Sequence, residues 1–128
     1  KIKAEEIDLR MLSTPISYHI HSWLPLNGKN HMQFYSTESM IEKIQMLGQI
    51  LTGNILSLLK GLDIFIDYQL QPVITDYTIG KPFTYKHIKL TSIDLTFTAN
   101  IQLPQHIGIG KHSSMGAGLL SKKAKTNL

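Results

Sequence analysis

Ile93-Asp-Leu-Thr-Phe-Thr-Ala-Asn-Ile-Gln-Leu103 alternates apolar and polar residues without a break. Ile93, Leu95, Phe97, Ala99, Ile101 and Leu103 fall on one side, and Asp94, Thr96, Thr98, Asn100 and Gln102 on the other. A period of two is that of a strand with one face in a core and the other away from it. Thr-rich polar positions and β-branched or aromatic apolar ones favour the same geometry. The strand signal extends back to Tyr85, but Ile88 and Leu90 occupy the opposite parity. A one-residue slip sends every side chain to the wrong face, so the phase change predicts a β-bulge at Thr91-Ser92.

Upstream, Ile64, Ile66, Tyr68 and Leu70 repeat the alternation, predicting a strand over Asp63 to Leu70. Pro72 interrupts it, and Val73 to Ile79 continue it after a kink or bulge. Gly80-Lys81-Pro82 reads as a turn. Between Ser36 and Gly61 the period changes. Met40, Ile44, Leu47, Leu51, Ile55 and Leu58 recur at helical spacing and define a long amphipathic helix. Ser36 or Thr37 is the expected N-cap, Glu38 suits the positive end of the dipole, Lys60 the negative end, and Gly61 the C′ position. Gly48 and Gly53 are unfavourable inside a helix, and close approach to a sheet is the expected compensation.

Ile16-Ser-Tyr-His-Ile-His-Ser-Trp-Leu24 alternates as well, with Ile16, Tyr18, Ile20, Ser22 and Leu24 on one face and Ser17, His19, His21 and Trp23 on the other. Pro25 ends it, and Asn27-Gly28 and Asn30 mark a loop. A last short strand is expected from Gly118. The order is strand, long helix, strand, long strand, glycine-rich loop, strand. An α+β, ferredoxin-like (RRM-like) domain follows: an antiparallel sheet with one long helix on one face and the second helix shortened or absent.

The loop before the last strand carries the chemistry. Leu103-Pro-Gln-His-Ile-Gly-Ile-Gly-Lys-His-Ser-Ser-Met-Gly-Ala-Gly-Leu-Leu120 places Lys111, His112, Ser113 and Ser114 between Gly108, Gly110, Gly116 and Gly118. Glycines let a partner approach the main chain, and free amides, one ammonium and two hydroxyls suit phosphate oxygens. The bland alternative is a tight connection into the last strand. The formal net charge is +4, and no Asp or Glu follows Asp94, whereas Lys111, Lys122, Lys123 and Lys125 do. A cationic end beside a glycine loop fits an anionic partner such as nucleic acid; a solvated basic tail is the alternative for the last residues.

Several classes are excluded. There are no cysteines, hence no disulfide framework and no thiolate metal site. The longest uncharged run, Ile44 to Leu59, is too short and polar to span a bilayer, so no membrane partner is expected. Gln105 stands where a Walker loop needs its first glycine, and no third glycine completes a dinucleotide fingerprint. No paired carboxylates are visible, which removes glycosidase-type and two-metal chemistry.

These residues resemble a family. Gly108-Ile-Gly110, a basic stretch, then Gly116-Ala-Gly118 before the last strand is similar to the signature loop of the repeat-associated RNA-binding (RAMP) superfamily. Together with Tyr18-His-Ile-His-Ser-Trp-Leu-Pro-Leu-Asn27 and Gly53-Asn-Ile-Leu-Ser-Leu-Leu-Lys-Gly61, it resembles the C-terminal half of a CRISPR repeat-processing endoribonuclease. The resemblance implies two tandem ferredoxin-like domains and a metal-independent cut, in which the ribose 2′-OH attacks the adjacent phosphate and leaves a 2′,3′-cyclic end. It implies repeat RNA as partner, no cofactor, and a catalytic His in the first domain. Residues 1–15 then read as the end of, or linker from, a missing N-terminal domain, 16–120 as the RNA-binding domain with its loop at 104–118, and 121–128 as a basic, disordered tail. A packing partner, either that first domain or a dimer mate, and a cytoplasmic location are further expectations. The alternative is a non-catalytic RNA-binding subunit of a CRISPR effector complex.

The expected RNA-binding residues are Gly108, Gly110, Lys111, His112, Ser113, Ser114, Gly116 and Gly118. His19 and His21, beside Trp23, keep three readings open. They could contact RNA while Trp23 stacks a base, pack against the missing domain, or bind a metal for which no third ligand is evident. They are also the backup catalytic candidates. His31 and His87 carry no distinguishing context.

Overall fold

The computed structural model describes residues 11–26, 28–110 and 117–122. The elements are β1 (Ile16–Trp23), α1 (Gly28–Ser36), α2 (Met40–Gly61), β2 (Val73–Ile79), β3 (Phe83–Tyr85), β4 (Ile88–Leu90), β5 (Ile93–Ala99), β6 (Ile107–Gly108) and β7 (Leu119–Lys122). Five strands form one sheet in the order β2-β5-β1-β7-β6, and β3 and β4 form a separate hairpin. All pairings are antiparallel. With β6 set aside, the order is that of a ferredoxin-like sheet. The described residues between β5 and β7 hold no helix, as expected.

Strand β5 is the middle of the fold. Its Ile93, Leu95, Phe97 and Ala99 are all fully buried, and the Thr residues between them are not. The core continues through Tyr18, Ile20 and Trp23 of β1, Leu120 of β7, and Leu47, Leu51, Ile55 and Leu59 of α2. The helical stripe is therefore placed correctly, except that Met40 is exposed and Leu59 is buried more deeply than Leu58.

Several local expectations are corrected. The N-cap of α2 is Ser39, not Ser36 or Thr37, and its side chain accepts from the Glu42 amide at 3.3 Å. The residues before it form α1 where Asn27, Gly28 and Asn30 predicted a loop; Phe34 is its buried contact. At the other end Gly61 is still helical. Asp63 takes the left-handed conformation (φ 59°), the Ile64 amide reaches back to the Leu59 carbonyl at 2.8 Å, and the Asp63 amide to that of Lys60 at 3.0 Å. That pair of bonds is a Schellman closure with Asp63 at C′. Gly48 and Gly53 do not mark a close approach: a Cβ on either meets nothing within 4 Å.

Residues 63–70 form no strand. Their alternation is real, since Ile64, Ile66, Tyr68 and Leu70 turn inward, but among the described residues no neighbouring strand completes a ladder. The phase change after Leu90 is not a bulge. It is a change of sheet: Thr91 and Ser92 link the β3–β4 hairpin to β5, and the strand read as continuous from Tyr85 is two strands. Nor does the strand reach Leu103. Asn100 is nearly buried, its Oδ1 accepting from the Gln71 amide and its Nδ2 donating to the Gln69 carbonyl. Ser121 and Lys122, expected to belong to a tail, instead pair with His19 and Tyr18 in β7; residues 123–128 lie outside the described residues.

Candidate nucleic-acid interface

The seat of the glycine loop is built from β1, α2 and the loop's own two ends. The described approach to it is fixed by Tyr18. The buried hydroxyl donates to the Ile101 carbonyl at 2.9 Å and accepts from the Leu103 amide at 2.7 Å, pinning the segment that leaves β5. Burial raises the Tyr18 pKa above the ordinary value of 10.0, and the Leu103 N–H pulls partly the other way. His106 is left-handed (φ 59°), and its amide donates to Leu120, which starts the β6–β7 pairing.

Gly110 and Gly118 each meet a steric requirement. Gly110 has φ 85°, and a Cβ there would lie 2.7 Å from Asn54 Oδ1 and 3.2 Å from Trp23 Nε1. Gly118 has φ 73°, and a Cβ would overlap the Ile109 carbonyl oxygen. Only glycine accepts both the dihedral and the contact. Ile109 is buried between them, its amide donating to the Gly118 carbonyl at 2.8 Å, while the Gly118 amide donates to Ser22 at 2.9 Å. The outer amides of the loop are thus committed to holding its neck, so the Gly118 N–H is not a phosphate donor. Gly110 itself is exposed. Lys111, His112, Ser113, Ser114 and Gly116 lie outside the described residues.

Gly108 and Gly110 line an open cleft of ≈ 360 Å³ with Asn54, Ser57 and Leu58 of α2. Asn54 is the residue that sequence reasoning missed. Its Oδ1 accepts from Trp23 Nε1 at 2.9 Å and touches the loop at Gly110. The available signal was its place four residues before Leu58, beside the apolar stripe of α2.

Trp23 is not on the face of His19 and His21. It is fully buried, and the reason is a bulge in β1. Ile20 opposes Leu95 and Trp23 opposes Ile93, which leaves His21 and Ser22 together opposite Asp94. Ser22 is left-handed (φ 54°), and its amide donates to Asp94 Oδ1 at 2.9 Å. The extra residue carries Trp23 to the core side, so the reading in which it stacks a base is overturned. His19 and His21 remain on the face away from α2, whereas the cleft opens beside α2.

With this geometry in place, comparison with known proteins is specific. The model of the Cas6b C-terminal domain matches residues 10–123. The chain belongs to the Cas6b C-terminal domain family. An uncharacterized Methanocaldococcus jannaschii protein, MJ0978, is 32% identical over 119 residues, which cover 92% of this chain and 78% of that protein. Two solved structures share the fold, each with a TM-score of 0.79 and 28% identity over 88% of this chain. One is a crystal structure of Cas6b and the other of the CRISPR RNA processing endoribonuclease Cas6b. The chain spans 65% of the first and 57% of the second. Among the described residues, no helix of this Cas6b C-terminal domain is long and apolar enough to cross a membrane.

Proposed function

We propose that this chain is the RNA-holding, C-terminal part of an endoribonuclease that processes CRISPR repeat RNA, with the glycine loop at 104–118 gripping the backbone near the scissile phosphate. The supporting observation is the neck of that loop. Two left-handed glycines are locked against Asn54, Trp23, Ile109 and Ser22, and Gly110 with Gly108 lines an open cleft beside α2. The segment between Gly110 and Gly118 carries Lys111, His112, Ser113, Ser114 and Gly116. A fixed neck joined to a sequence that bears a cation and hydroxyls lowers the ordering cost of phosphate binding. The kinship to a CRISPR RNA processing endoribonuclease gives the partner its class.

The chemistry in this reading needs no metal. A base takes the proton of the ribose 2′-OH, the 2′-oxygen bonds to the adjacent phosphorus, and the bond from phosphorus to the 5′-oxygen breaks. An acid returns a proton to that oxygen, leaving a 2′,3′-cyclic phosphate and a 5′-hydroxyl. The loop's part is to hold the phosphate and stabilise the charge on its oxygens. His19 and His21, across the sheet from the cleft, are given no part in the cut, and the base is assigned to the first domain of the full-length protein.

The test is RNA binding by the full-length protein and its Lys111→Ala variant across a salt series. Loss of one phosphate contact should weaken binding to repeat RNA and reduce the slope of log K against log salt by about 1. Unchanged affinity and slope would count against the loop as a phosphate grip. Cleavage of repeat RNA in EDTA, with the 5′ product ending in a cyclic phosphate, distinguishes the nuclease from a non-catalytic RNA-binding subunit.

A further inference from the structure

The β1 bulge gathers a group of side chains that the RNA reading does not use. One ligand atom from each of His19, His21 and Asp94 lies within 4.8 Å of the others. We propose that these three residues bind a divalent transition metal, Zn²⁺ in the first instance, on the open face of the sheet between β1 and β5.

The geometry is close to that of a bound ion. Zn–N and Zn–O bonds of 2.0–2.2 Å at tetrahedral angles place neighbouring donor atoms about 3.4 Å apart. His21 Nδ1 and Asp94 Oδ1 are 3.3 Å apart. The imidazole rings of His19 and His21 have centroids 6.4 Å apart, and the ligand atoms of all three residues fall within 4.8 Å of one another. Two imidazoles and one carboxylate are a donor set suited to Zn²⁺, leaving a fourth position for water.

The surroundings orient these donors. The Ser22 amide donates to Asp94 Oδ1 at 2.9 Å, and that bond exists only because the bulge turns Ser22 out of the ladder. His19 Nδ1 is 3.3 Å from Thr96 Oγ1, which fixes the ring and leaves Nε2 available. Such outer contacts set the orientation and basicity of metal ligands. On the flanking strands Thr78 of β2 opposes Asp94 and Ser121 of β7 opposes His19, while Leu119 of β7 opposes His21. His21 is largely exposed and Asp94 partly so, which gives an ion a way in.

A His21–Asp94 ion pair alone would explain the 3.3 Å separation, but it gives His19 no role. An ion makes His19 the third ligand and ties β1 to β5 across the bulge. The site lies away from the glycine-loop cleft, and the proposal does not depend on the RNA reading.

The experiment is calorimetric titration of the full-length protein, free of affinity tag and stripped with EDTA, with ZnCl₂ and no RNA. Binding of one Zn²⁺ at this site is expected. Affinity should fall by about tenfold or more in each of His19→Ala, His21→Ala and Asp94→Asn. It should be retained in His31→Ala, a control on α1. Asn at 94 keeps an acceptor for the Ser22 amide, and a circular dichroism melt of each apo variant confirms that it folds. Co²⁺ in place of Zn²⁺ should give d–d absorption that disappears in His19→Ala. No saturable binding by the parent protein would overturn the proposal. So would losses confined to the His21 and Asp94 variants with His19→Ala unchanged, which would remove His19 from the ligand set.

Discussion

Trp23 Nε1 donates to Asn54 Oδ1 at 2.9 Å, and the bond joins the end of β1 to the middle of α2 directly against Gly110. A buried indole N–H needs an acceptor, and Asn54 supplies it while its oxygen forms the wall on which the glycine loop rests. Asn54→Ala should cost about 1–3 kcal/mol, because the indole donor is left buried and unpaired. The same variant should weaken RNA binding beyond what its stability loss explains. Urea denaturation together with a binding isotherm measured well below the melting temperature separates the two effects.

The two loop glycines should respond unequally to alanine. At Gly110 the penalty is the left-handed backbone, roughly 1–2 kcal/mol, plus displacement of the Asn54 side chain. At Gly118 the new methyl meets the Ile109 carbonyl, and backbone cannot rotate away as a side chain can. Gly118→Ala should therefore be the more destabilising of the pair in thermal denaturation, and equal losses would contradict the contact geometry.

Glycines within α2 should behave in the opposite way. Alanine at Gly48 or Gly53 meets open space on a regular helix, so each substitution should stabilise by about 0.8–1 kcal/mol. The readout is the denaturant midpoint at constant slope. A gain in stability accompanied by lost RNA affinity would mark that side of α2 as a contact surface.

Tyr18 gives the domain a defined alkaline limit. Its phenol is neutral and buried in the folded state, with its pKa raised by desolvation. Between the unfolded value of 10.0 and the raised folded value, the unfolded chain binds fewer protons than the folded one. Stability attributable to Tyr18 is thus intact below about pH 10 and declines as pH rises through that window. Tyr18→Phe should lose about 1–3 kcal/mol at neutral pH, since the Leu103 amide loses its acceptor, and should show a shallower decline above pH 10. An identical alkaline profile in both proteins would exclude Tyr18 as its source.

Where the sequence misled, one kind of physics explains it. The alternation of Ile64, Ile66, Tyr68 and Leu70 reports burial correctly, yet a strand also needs a neighbour to take its hydrogen bonds, and hydropathy does not say whether one is present. The alternation of β1 fails at Trp23 because a single bulged residue inverts the faces after it. No composition cue marks His21-Ser22 as the site of that bulge; the Ser22 amide finds its acceptor in the carboxylate of Asp94, 72 residues away. The capping errors are of the same type. Ser36, Thr37 and Ser39 all carry the required hydroxyl, and the choice among them depends on where α1 ends.

Side-chain periodicity and glycine placement are local properties, and the sequence by itself determined what depends on them: the buried faces of β5 and α2, the α+β order of elements, the family resemblance and the glycine loop. Tertiary structure alone decided which strand faces which. It set Asn54 under Gly110, turned Trp23 into the core, and brought Asp94 to the two histidines. Those arrangements are long-range pairings, stabilised only once distant strands and the helix are docked, and no period along the chain encodes them.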